Sequence, residues 1–367
     1  MGHWRPDPDM KHITIRPVWT IQDPGGPPLP HRLLELLVQV QAKGSLQSAS
    51  QALGLSYRHA WDLVRQGEAH FGQPLLHMAR GRGSRLSPLG DKLVWADHRI
   101  QARLRPALDS LASELATEIG RVVEGSPERL RVHASHGFAI EALFEALGRQ
   151  GLAVERRYGS TTAALAALRE HACDAAGLHL PLGPLQRPAL AQWARWLDDP
   201  GLWVLDIATR RQGLLLPAGN PRKLYELADL LRPGVRFINR EPGSGTRFLL
   251  EGLLAQAGLD PAAIAGFEQG EYTHAAVAAY VASGMADAGF GLEPPARQFG
   301  LDFVPLARER YFLLCRADTL DSAPMQALRS VLTEPGFRAV VDALPGYHAE
   351  HAGRATPLRE AFALETP

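Results

Sequence analysis

A short glycine-rich loop with two hydroxyl groups is the stretch of this sequence best suited to binding a small anion. Residues 239–247 read NREPGSGTR and lie between a strand-like run and an apolar helical run. Glycines at positions 243 and 245 let backbone N–H groups turn toward one point, and the following helix adds the positive end of its dipole. The loop therefore predicts an anion cradle with Ser244 and Thr246 as donors, flanked by Arg240 and Arg247. The alternative is an ordinary turn, because a lone Gly-Ser-Gly before a helix is often no more than that. The loop is not a P-loop, since the GxxxxGK[ST] pattern is absent.

Small donors also stand at other strand ends and helix starts in the C-terminal part of the chain. They are hydroxyl or imidazole groups, at Ser135, Ser160, Thr161, His179 and His274. Any one of them can be a helix cap, but several at corresponding positions predict a shared ligand site at the ends of parallel strands. The histidines at 136, 179 and 274 are widely spaced and lack cysteine or carboxylate partners, so no metal site is predicted.

The sequence lacks the motifs that catalysis or cofactor binding would require. GxGxxG is not completed, and neither a GxSxG elbow nor an HExxH pair is present. Donor-rich loops without a base–nucleophile pair favour binding over turnover, so we expect no enzyme activity and no cofactor.

The stretch from residue 44 to 68, GSLQSASQALGLSYRHAWDLVRQGE, has the spacing of two short helices joined by a tight turn. Leu46, Ala49 and Leu53 share one face of the first helix, which a glycine at position 54 ends. This pattern predicts a helix-turn-helix whose second helix enters the major groove of DNA. The residues on its outer side that can contact bases and phosphates are Ser56, Tyr57, Arg58, His59 and Arg65. The alternative is an ordinary helical hairpin.

A basic loop follows the helix-turn-helix. Residues 73–86, QPLLHMARGRGSRL, predict two short strands around a turn, which as a wing would place Arg80, Arg82 and Arg85 near phosphates. The alternative is a solvated hairpin tip. Residues 30–90 contain seven Lys or Arg and three Asp or Glu, 7 − 3 = +4, whereas the whole chain has 39 of each kind. Attraction to DNA is therefore expected of the N-terminal part alone.

Three segments must position these groups. Residues 13–87 are expected to form the winged helix-turn-helix domain, with residues 13–21, ITIRPVWTI, as an additional strand. Residues 88–122 predict one long helix, whose apolar residues recur from Leu89 to Ile119 in steps of three and four. Such a stripe favours a homodimer through this helix, or a tetramer of paired dimers. The alternative is that the stripe packs against its own chain.

Residues 128–360 alternate strand-like and helical runs, which predicts a two-lobed α/β domain with a parallel sheet. Lobe 1 is expected to span about 128–208 and 306–360, and lobe 2 about 209–305. Residues 202–216 are expected to be two strands around a turn at Arg210-Arg211-Gln212-Gly213. Residues 303–306 and 311–315 are expected as separate strands that return to lobe 1.

Length and composition favour some classes of protein and exclude others. The chain has 367 residues and 46% hydrophobic content, enough for two or three filled cores. Its only cysteines are Cys173 and Cys315, which excludes a disulfide framework and suggests a reducing compartment. The N-terminus lacks the apolar run of a signal peptide, and no stretch would span a membrane. We therefore expect a soluble cytoplasmic protein.

Parts of the sequence resemble known families. The segment SYRHAWDLV, within residues 44–68, resembles the N-terminal domain of the molybdate-responsive repressor family, which is itself similar to LysR-type winged helices. Residues 128–360 resemble the type II periplasmic-binding-protein-like domain related to molybdate and tungstate binding proteins. The matching pieces are YGSTTAAL, NREPGSGTR, THAAVAAYVASGMADAGFG and LDFVPLARERYFLL.

The resemblance implies a one-component transcriptional regulator that binds operator DNA and responds to molybdate or tungstate. It maps the family's oxyanion contacts onto Ser135, Ser160, Thr161, Ser244 and Thr246, with Arg240 and His274 as further candidates. The arginines at 240 and 247 can equally recognise a small organic carboxylate. A third interpretation is an enzyme or small-molecule sensor that uses the winged helix only for protein contacts, because a fold does not fix a function.

Overall fold

The computed structural model describes residues 13–79, 83–123 and 129–363. The chain forms two compact units, one spanning Arg16–Leu104 and the other made mainly of the chain from Arg105 onward. Among the described residues, no helix is both long enough and apolar enough to cross a membrane.

The first unit is a small helical domain closed by a two-stranded hairpin. Its elements are α1 (His31–Lys43), α2 (Leu46–Ala52), α3 (Tyr57–Phe71), β1 (Leu76–Ala79) and β2 (Gly83–Leu86). The three helices pack through the apolar faces that the sequence predicts, with Leu37, Ala60 and Val64 fully buried. The winged helix-turn-helix fold is therefore confirmed.

The predicted strand over residues 13–21 is wrong. This segment is extended but pairs with no strand among the described residues. Pro17 has no N–H to donate to a strand ladder, and Trp19 contacts the helical unit instead. Trp19 donates its indole N–H to Asp97 at 2.9 Å and packs on the core of the helical unit. The alternation of exposed and half-buried residues thus arises from packing on helices rather than from a sheet.

The long helix α4 (Pro88–Val123) begins in the first unit and continues into the second. Its apolar stripe divides into two parts. Leu93 and Val94 are buried, whereas Leu111, Leu115 and Ile119 are 50%, 42% and 45% exposed. The prediction of one long helix is confirmed, and the second half of its stripe is left uncovered.

The second unit is an α/β domain around one mixed ten-stranded sheet. Its strands are β3 (Leu130–Ala134), β4 (Val154–Tyr158), β5 (Ala175–Pro181), β6 (Leu202–Leu216), β7 (Phe237–Arg240), β8 (Gly270–Glu271), β9 (Ala288–Leu292), β10 (Asp302–Arg316), β11 (Tyr347–His348) and β12 (Ala355–Pro357). Its helices are α5 (Phe138–Arg149), α6 (Thr161–Arg169), α7 (Gln186–Gln192), α8 (Ala194–Leu197), α9 (Gly245–Gln256), α10 (His274–Ala282), α11 (Glu293–Gln298), α12 (Ala323–Thr333), α13 (Pro335–Asp342) and α14 (Leu358–Ala361).

Two long antiparallel strands join the two lobes of this domain. The sheet order is β4-β3-β5-β10-β6-β9-β7-β8, with β11 and β12 also paired to β6. Strands β3, β4 and β5 are parallel in lobe 1, as are β7, β8 and β9 in lobe 2. Strands β6 and β10 pair over nearly their whole length and pass through both lobes. The two-lobed architecture is therefore confirmed.

The predicted turn at Arg210–Gly213 is wrong, and so is the division of the return path into two strands. Both segments are continuous strands of 15 residues, β6 and β10. The charged run stays in the sheet because its side chains find partners on the neighbouring strand. Arg210 faces Glu309 in the ladder, and both side chains are almost fully buried.

Candidate DNA-binding surface and anion cleft

Helix α3 presents its polar residues on the side away from the core. The backbone N–H of His59 donates to the Ser56 hydroxyl at 3.2 Å, which caps the first turn. Ala49 and Ala60 have no exposed surface, so their small side chains let the two helices cross closely. Of the residues predicted to contact DNA, the five at the start and on the outer side of this helix are exposed, namely Ser56, Tyr57, Arg58, His59 and Arg65. The surface can therefore offer hydroxyl, imidazole and guanidinium donors to a groove and its phosphates.

An aromatic residue fixes two of these side chains. Trp61 lies edge to face with Tyr57, with ring centroids 6.5 Å apart, and the Arg65 guanidinium lies 6.0 Å from the Trp61 centroid. Tyr57 and Arg65 are thus held along the same side of α3, although they are two turns apart. Trp61 is a positioning residue that the sequence analysis did not identify.

The wing is anchored to the start of α2. Gly83 has a φ of +83°, and a Cβ at this position would lie 2.3 Å from the carbonyl oxygen of Gly44, so only glycine fits. Ser84 donates its N–H to that same carbonyl at 3.1 Å, and its hydroxyl accepts the N–H of Leu46 at 3.2 Å. Arg85 is exposed on β2. Arg80 and Arg82 lie outside the described residues, so their predicted phosphate contacts stay predictions.

In the second unit, the ends of parallel strands bring candidate ligand residues to two edges of the sheet. Ala134 at the end of β3 is in register with Tyr158 of β4 and Gly177 of β5. Ser135, Ser160 and Thr161 follow the ends of β3 and β4, and His179 lies two residues beyond Gly177. In lobe 2, Arg240 and Glu271 pair at the ends of β7 and β8. Ser244, Thr246 and His274 follow these strands at the starts of α9 and α10.

Contacts join the two edges at the start of α9. Gln212 of β6 donates its amide N–H to the Thr246 hydroxyl at 3.2 Å and to Glu309 of β10 at 2.7 Å. A Cβ at position 245 would lie 2.8 Å from Nε2 of His179, so the glycine allows the α9 backbone to approach this histidine. The Ser244 hydroxyl accepts the N–H of Arg247, which caps the helix. His179, Thr246 and the long strands therefore meet at one point, which we call the cleft centre (His179, Gln212, Thr246 and Glu309).

Buried charges at the cleft centre compensate each other. Arg210 donates to Glu309 at 2.9 Å, and the two side chains are 2% and 1% exposed. Burial alone would raise the pKa of Glu309, but the Arg210 charge and the donors around the carboxylate lower it overall. The pair is therefore ionised and carries no net charge.

Two buried histidines at this site are neutral. Burial, helped by the Arg210 charge, lowers the pKa of His179 to about 4. Burial and the charges of Arg240 and Arg210 also lower the pKa of His274 well below its ordinary value. Nδ1 of His274 accepts the N–H of Leu292 at 3.4 Å, which leaves Nε2 as the N–H donor. His274 can thus donate a hydrogen bond without bringing a full charge.

The two arginines of the glycine-rich loop are already engaged within the protein. Arg240 donates from both Nε and one terminal nitrogen to Glu241, at 2.9 Å each. Arg247 pairs with Glu251 and Glu268 at 2.8 Å each, and its guanidinium lies over the Phe267 ring. The charge of Arg240 acts on both buried histidines. The glutamates that pair with Arg247 are 45% and 81% exposed.

The three lobe 1 hydroxyl residues differ in accessibility. Ser135 is half-buried and Ser160 is exposed, with its hydroxyl accepting the N–H of Ala163. Thr161 is 8% exposed. The loop that contains Ser135 approaches the cleft centre, since a Cβ at Gly137 would lie 3.7 Å from a terminal nitrogen of Arg210. The predicted role of Ser160 and Thr161 in ligand binding stays a prediction.

Comparison with protein families assigns both units. Residues 144–333 match the model of the PBP superfamily domain, and residues 31–91 match that of the bacterial regulatory helix-turn-helix protein, lysR family. The chain belongs to the PBP superfamily. Within that superfamily it carries a lysR-family helix-turn-helix ahead of the binding-protein-like domain, as the sequence resemblance implies. By its description, the helix-turn-helix family is one of bacterial regulatory proteins.

Individual relatives of this PBP-superfamily chain match only in part. It is 31% identical to the uncharacterised protein YvgK of Bacillus subtilis over 202 residues, which is 54% of this chain and 64% of YvgK. It is 29% identical to the HTH-type transcriptional regulator CbbR of Xanthobacter flavus, over 66% of this chain and 65% of CbbR. It is 30% identical to the molybdenum-pterin-binding protein MopB of Rhodobacter capsulatus, over 34% of this chain and 47% of MopB. The chain thus spans less than two thirds of each of these relatives.

Arg210, Gln212 and Glu309 belong to the site in this PBP-superfamily domain but are not among the residues that the sequence predicts. The sequence predicts two strands on either side of Arg210–Gly213, so these residues are not expected inside one strand. The signal that could have found them is the apolar run on each side of that charged segment, which is typical of one unbroken strand. Within the described residues, one further group has metal-ligand chemistry, formed by Asp109, His136 and Glu141.

Proposed function

We propose that this protein is a DNA-binding transcriptional regulator whose cleft closes around a small anion, most specifically molybdate or tungstate. The observation that carries the proposal is the pairing of a lysR-family helix-turn-helix with a cleft that offers neutral donors. The DNA-binding residues are those exposed on α3, together with Arg85 and the two wing arginines at 80 and 82. Operator DNA is the partner, because the exposed donors and cations lie on a helix that fits a major groove and not in a pocket.

The uncovered stripe on α4 supports a homodimer. Leu111, Leu115 and Ile119 follow one another at intervals of four residues and are each at least 42% exposed. Three large apolar side chains in one row bury well only against a matching row, which a second copy supplies. The two recognition helices of the dimer would then contact the two half-sites of the operator. Pairing of such dimers would give a tetramer.

The anion is proposed from the kind of donor that the cleft presents. His274 donates from a neutral ring, and the Ser244 and Thr246 hydroxyls lie at the start of α9. The first-turn N–H groups of that helix are directed toward its N-terminus. Arg210 is neutralised by Glu309, so it adds no net charge. Several hydrogen bonds from neutral groups suit a compact oxyanion whose charge is spread over four oxygens. The similarity to MopB, a molybdenum-pterin-binding protein by name, points to the same chemistry.

A small organic carboxylate is the second candidate, and the arginines argue against it. A carboxylate is bound best by the two parallel N–H groups of a guanidinium fork. Arg240 already directs that fork at Glu241, and Arg247 is shared between two glutamates. A carboxylate effector would first have to displace these partners.

Thermal unfolding of the purified protein with added anions tests the proposal. Molybdate, tungstate, sulfate, phosphate and formate are each added in excess. An anion present at a hundredfold over its Kd stabilises the native state by about 2.7 kcal/mol, which raises the midpoint by several degrees. We expect a shift with molybdate and tungstate and none with formate. No shift with either metal oxyanion would contradict the proposed effector while leaving DNA binding to be measured separately.

A further inference from the structure

A group of three side chains joins helix α4 to lobe 1 beside the anion cleft. Asp109 lies on α4, His136 in the loop after β3, and Glu141 in the first turn of α5. One ligand atom from each residue lies within 4.8 Å of the other two. Two ligands bound to one ion at about 2.1 Å each are at most about 4.2 Å apart, so small side-chain rotations complete the geometry.

The position of Asp109 is fixed by hydrogen bonds between α4 and the edge strand. The N–H of Tyr158 donates to the Ser110 hydroxyl, and the N–H of Arg156 donates to the Ser113 hydroxyl, at 2.9 Å each. These bonds hold one face of α4 against β4. Asp109, next to Ser110, is thereby kept beside the loop of lobe 1.

The polar atoms at this place are buried and closely spaced. Nε2 of His136 and Oε1 of Glu141 lie 2.5 Å apart, which is the distance of a hydrogen-bonded ion pair. The Tyr158 hydroxyl is buried without a partner, and its ring centroid lies 5.0 Å from that of His136. A divalent cation can displace the proton that His136 and Glu141 share, once small rotations move the two atoms to the separation of about 3 Å or more that neighbouring ligands of one ion require.

Arg105 balances the carboxylates on their other side. Its Nε lies 3.6 Å from Oδ2 of Asp109, and a terminal nitrogen lies 3.4 Å from Oε2 of Glu141. Arg105 is 60% exposed, so water screens its charge. Because it contacts the second oxygens, Oε1 of Glu141 stays directed at His136. A guanidinium in this position orients ligating carboxylates from outside.

We propose that Asp109, His136 and Glu141 form a site for a divalent first-row transition metal, with Zn²⁺ as the best-fitting ion. One imidazole with two carboxylates suits this class, whereas Mg²⁺ and Ca²⁺ prefer oxygen ligands alone. Three protein ligands leave a position for water. The metal would tie the loop containing Ser135 to α4, the helix that continues into the DNA-binding unit. That coupling role rests on the proposed function, but metal binding itself does not.

Zinc titration of chelator-treated, full-length protein tests the site. Calorimetry or competition with a chromophoric chelator should give one Zn²⁺ per chain and a raised thermal midpoint, and Mg²⁺ at the same concentration should give neither. His136→Gln and Asp109→Asn should each weaken Zn²⁺ binding at least tenfold. Glu114→Gln, an exposed carboxylate on the same helix, should bind Zn²⁺ like the parent.

Folding of each variant is checked by far-UV circular dichroism without metal. If His136→Gln does not fold, the Asp109→Asn result decides, because this half-buried residue lies at the helix surface. Absence of stoichiometric Zn²⁺ binding by the parent would overturn the proposal. Binding by both variants at the affinity of Glu114→Gln would overturn it too, since the metal would then be held elsewhere.

Discussion

The two candidate binding surfaces of this protein handle charge in opposite ways. On α3 and β2, cations such as Arg58 and Arg85 are exposed and stand on a small, well-packed helical core. In the cleft, Arg210 is buried and paired with Glu309, and the histidines are neutral. The difference follows from the partners. A polyanion keeps its hydration and is attracted by exposed charge, whereas a small enclosed anion must exchange its water for fixed hydrogen bonds.

The largest expected effect is a loss of stability when the buried pair of Arg210 and Glu309 is broken. Glu309→Gln should lower the free energy of unfolding by about 3–5 kcal/mol, because it leaves the Arg210 charge buried without compensation. Urea denaturation measures this loss. Asp318→Asn serves as the control, since its pair with Arg316 has an aspartate that is 61% exposed and should cost less than about 1 kcal/mol. Equal losses in the two variants would show that the Arg210–Glu309 pair is not the buried, coupled unit described here.

The second expected effect is on how the stability of the fold depends on pH. The pKa of His179 is lowered from 6.5 to about 4 by burial. Between these values the unfolded chain binds a proton that the folded chain does not, so stability decreases as pH falls. His179→Gln should reduce the loss of stability between pH 7 and pH 4.5 by up to about 3 kcal/mol. Urea denaturation at both pH values measures it, and an identical loss in parent and variant would contradict a buried, neutral His179.

A smaller effect is expected on the DNA side. Arg58→Ala should weaken binding to operator DNA by about tenfold to a hundredfold, equivalent to about 1–3 kcal/mol, and leave anion binding unchanged. Arg187→Ala removes an equally exposed arginine from the second unit and should bind DNA like the parent. Fluorescence anisotropy with a selected DNA duplex gives both affinities. Unchanged DNA affinity in Arg58→Ala would exclude this residue from the interface.

How far the sequence predicts these surfaces depends on whether their partners are local. The cap at Ser56, the close crossing at Ala49 and Ala60, and the exposed face of α3 all follow from spacings of three and four residues within one segment. The cleft centre does not. Gln212 and Glu309 meet across 97 residues of chain, so only the alignment of β6 with β10 brings them together.

The residues at the strand ends are partly predictable, unlike those of α3, which are predicted well, and those that β6 and β10 contribute to the cleft centre, which are not predicted. Alternation of strands and helices predicts that Ser135, His179 and Thr246 stand at strand ends or helix starts, because parallel strands end at a common edge. It does not predict that α9 approaches His179, since that depends on the absence of a Cβ at Gly245. The alternating burial of residues 13–21 likewise does not come from a β-strand, because packing on a helical surface can produce the same pattern.

The smallest expected effect per residue is the loss of a hydroxyl donor to the anion. Ser244→Ala combined with Thr246→Ala should weaken molybdate binding by roughly tenfold or more, at about 0.5–1.5 kcal/mol for each lost hydrogen bond, without changing basal DNA binding. Asp260→Ala removes another capping side chain from lobe 2, one that accepts the N–H of Ala262, and should bind molybdate like the parent. Calorimetric titration compares them. Equal molybdate affinity in all three proteins would move the anion site away from α9.

The affinity for a selected DNA duplex, measured with and without saturating molybdate, tests the central claim most directly. If anion binding in the cleft is coupled to DNA binding by the recognition helices, the DNA affinity should change by about fivefold or more when the anion binds. The Ser244→Ala/Thr246→Ala variant should show no such change at the same molybdate concentration. If molybdate binds and the DNA affinity of the parent stays the same, the two surfaces are independent and the account of an anion-controlled regulator is wrong.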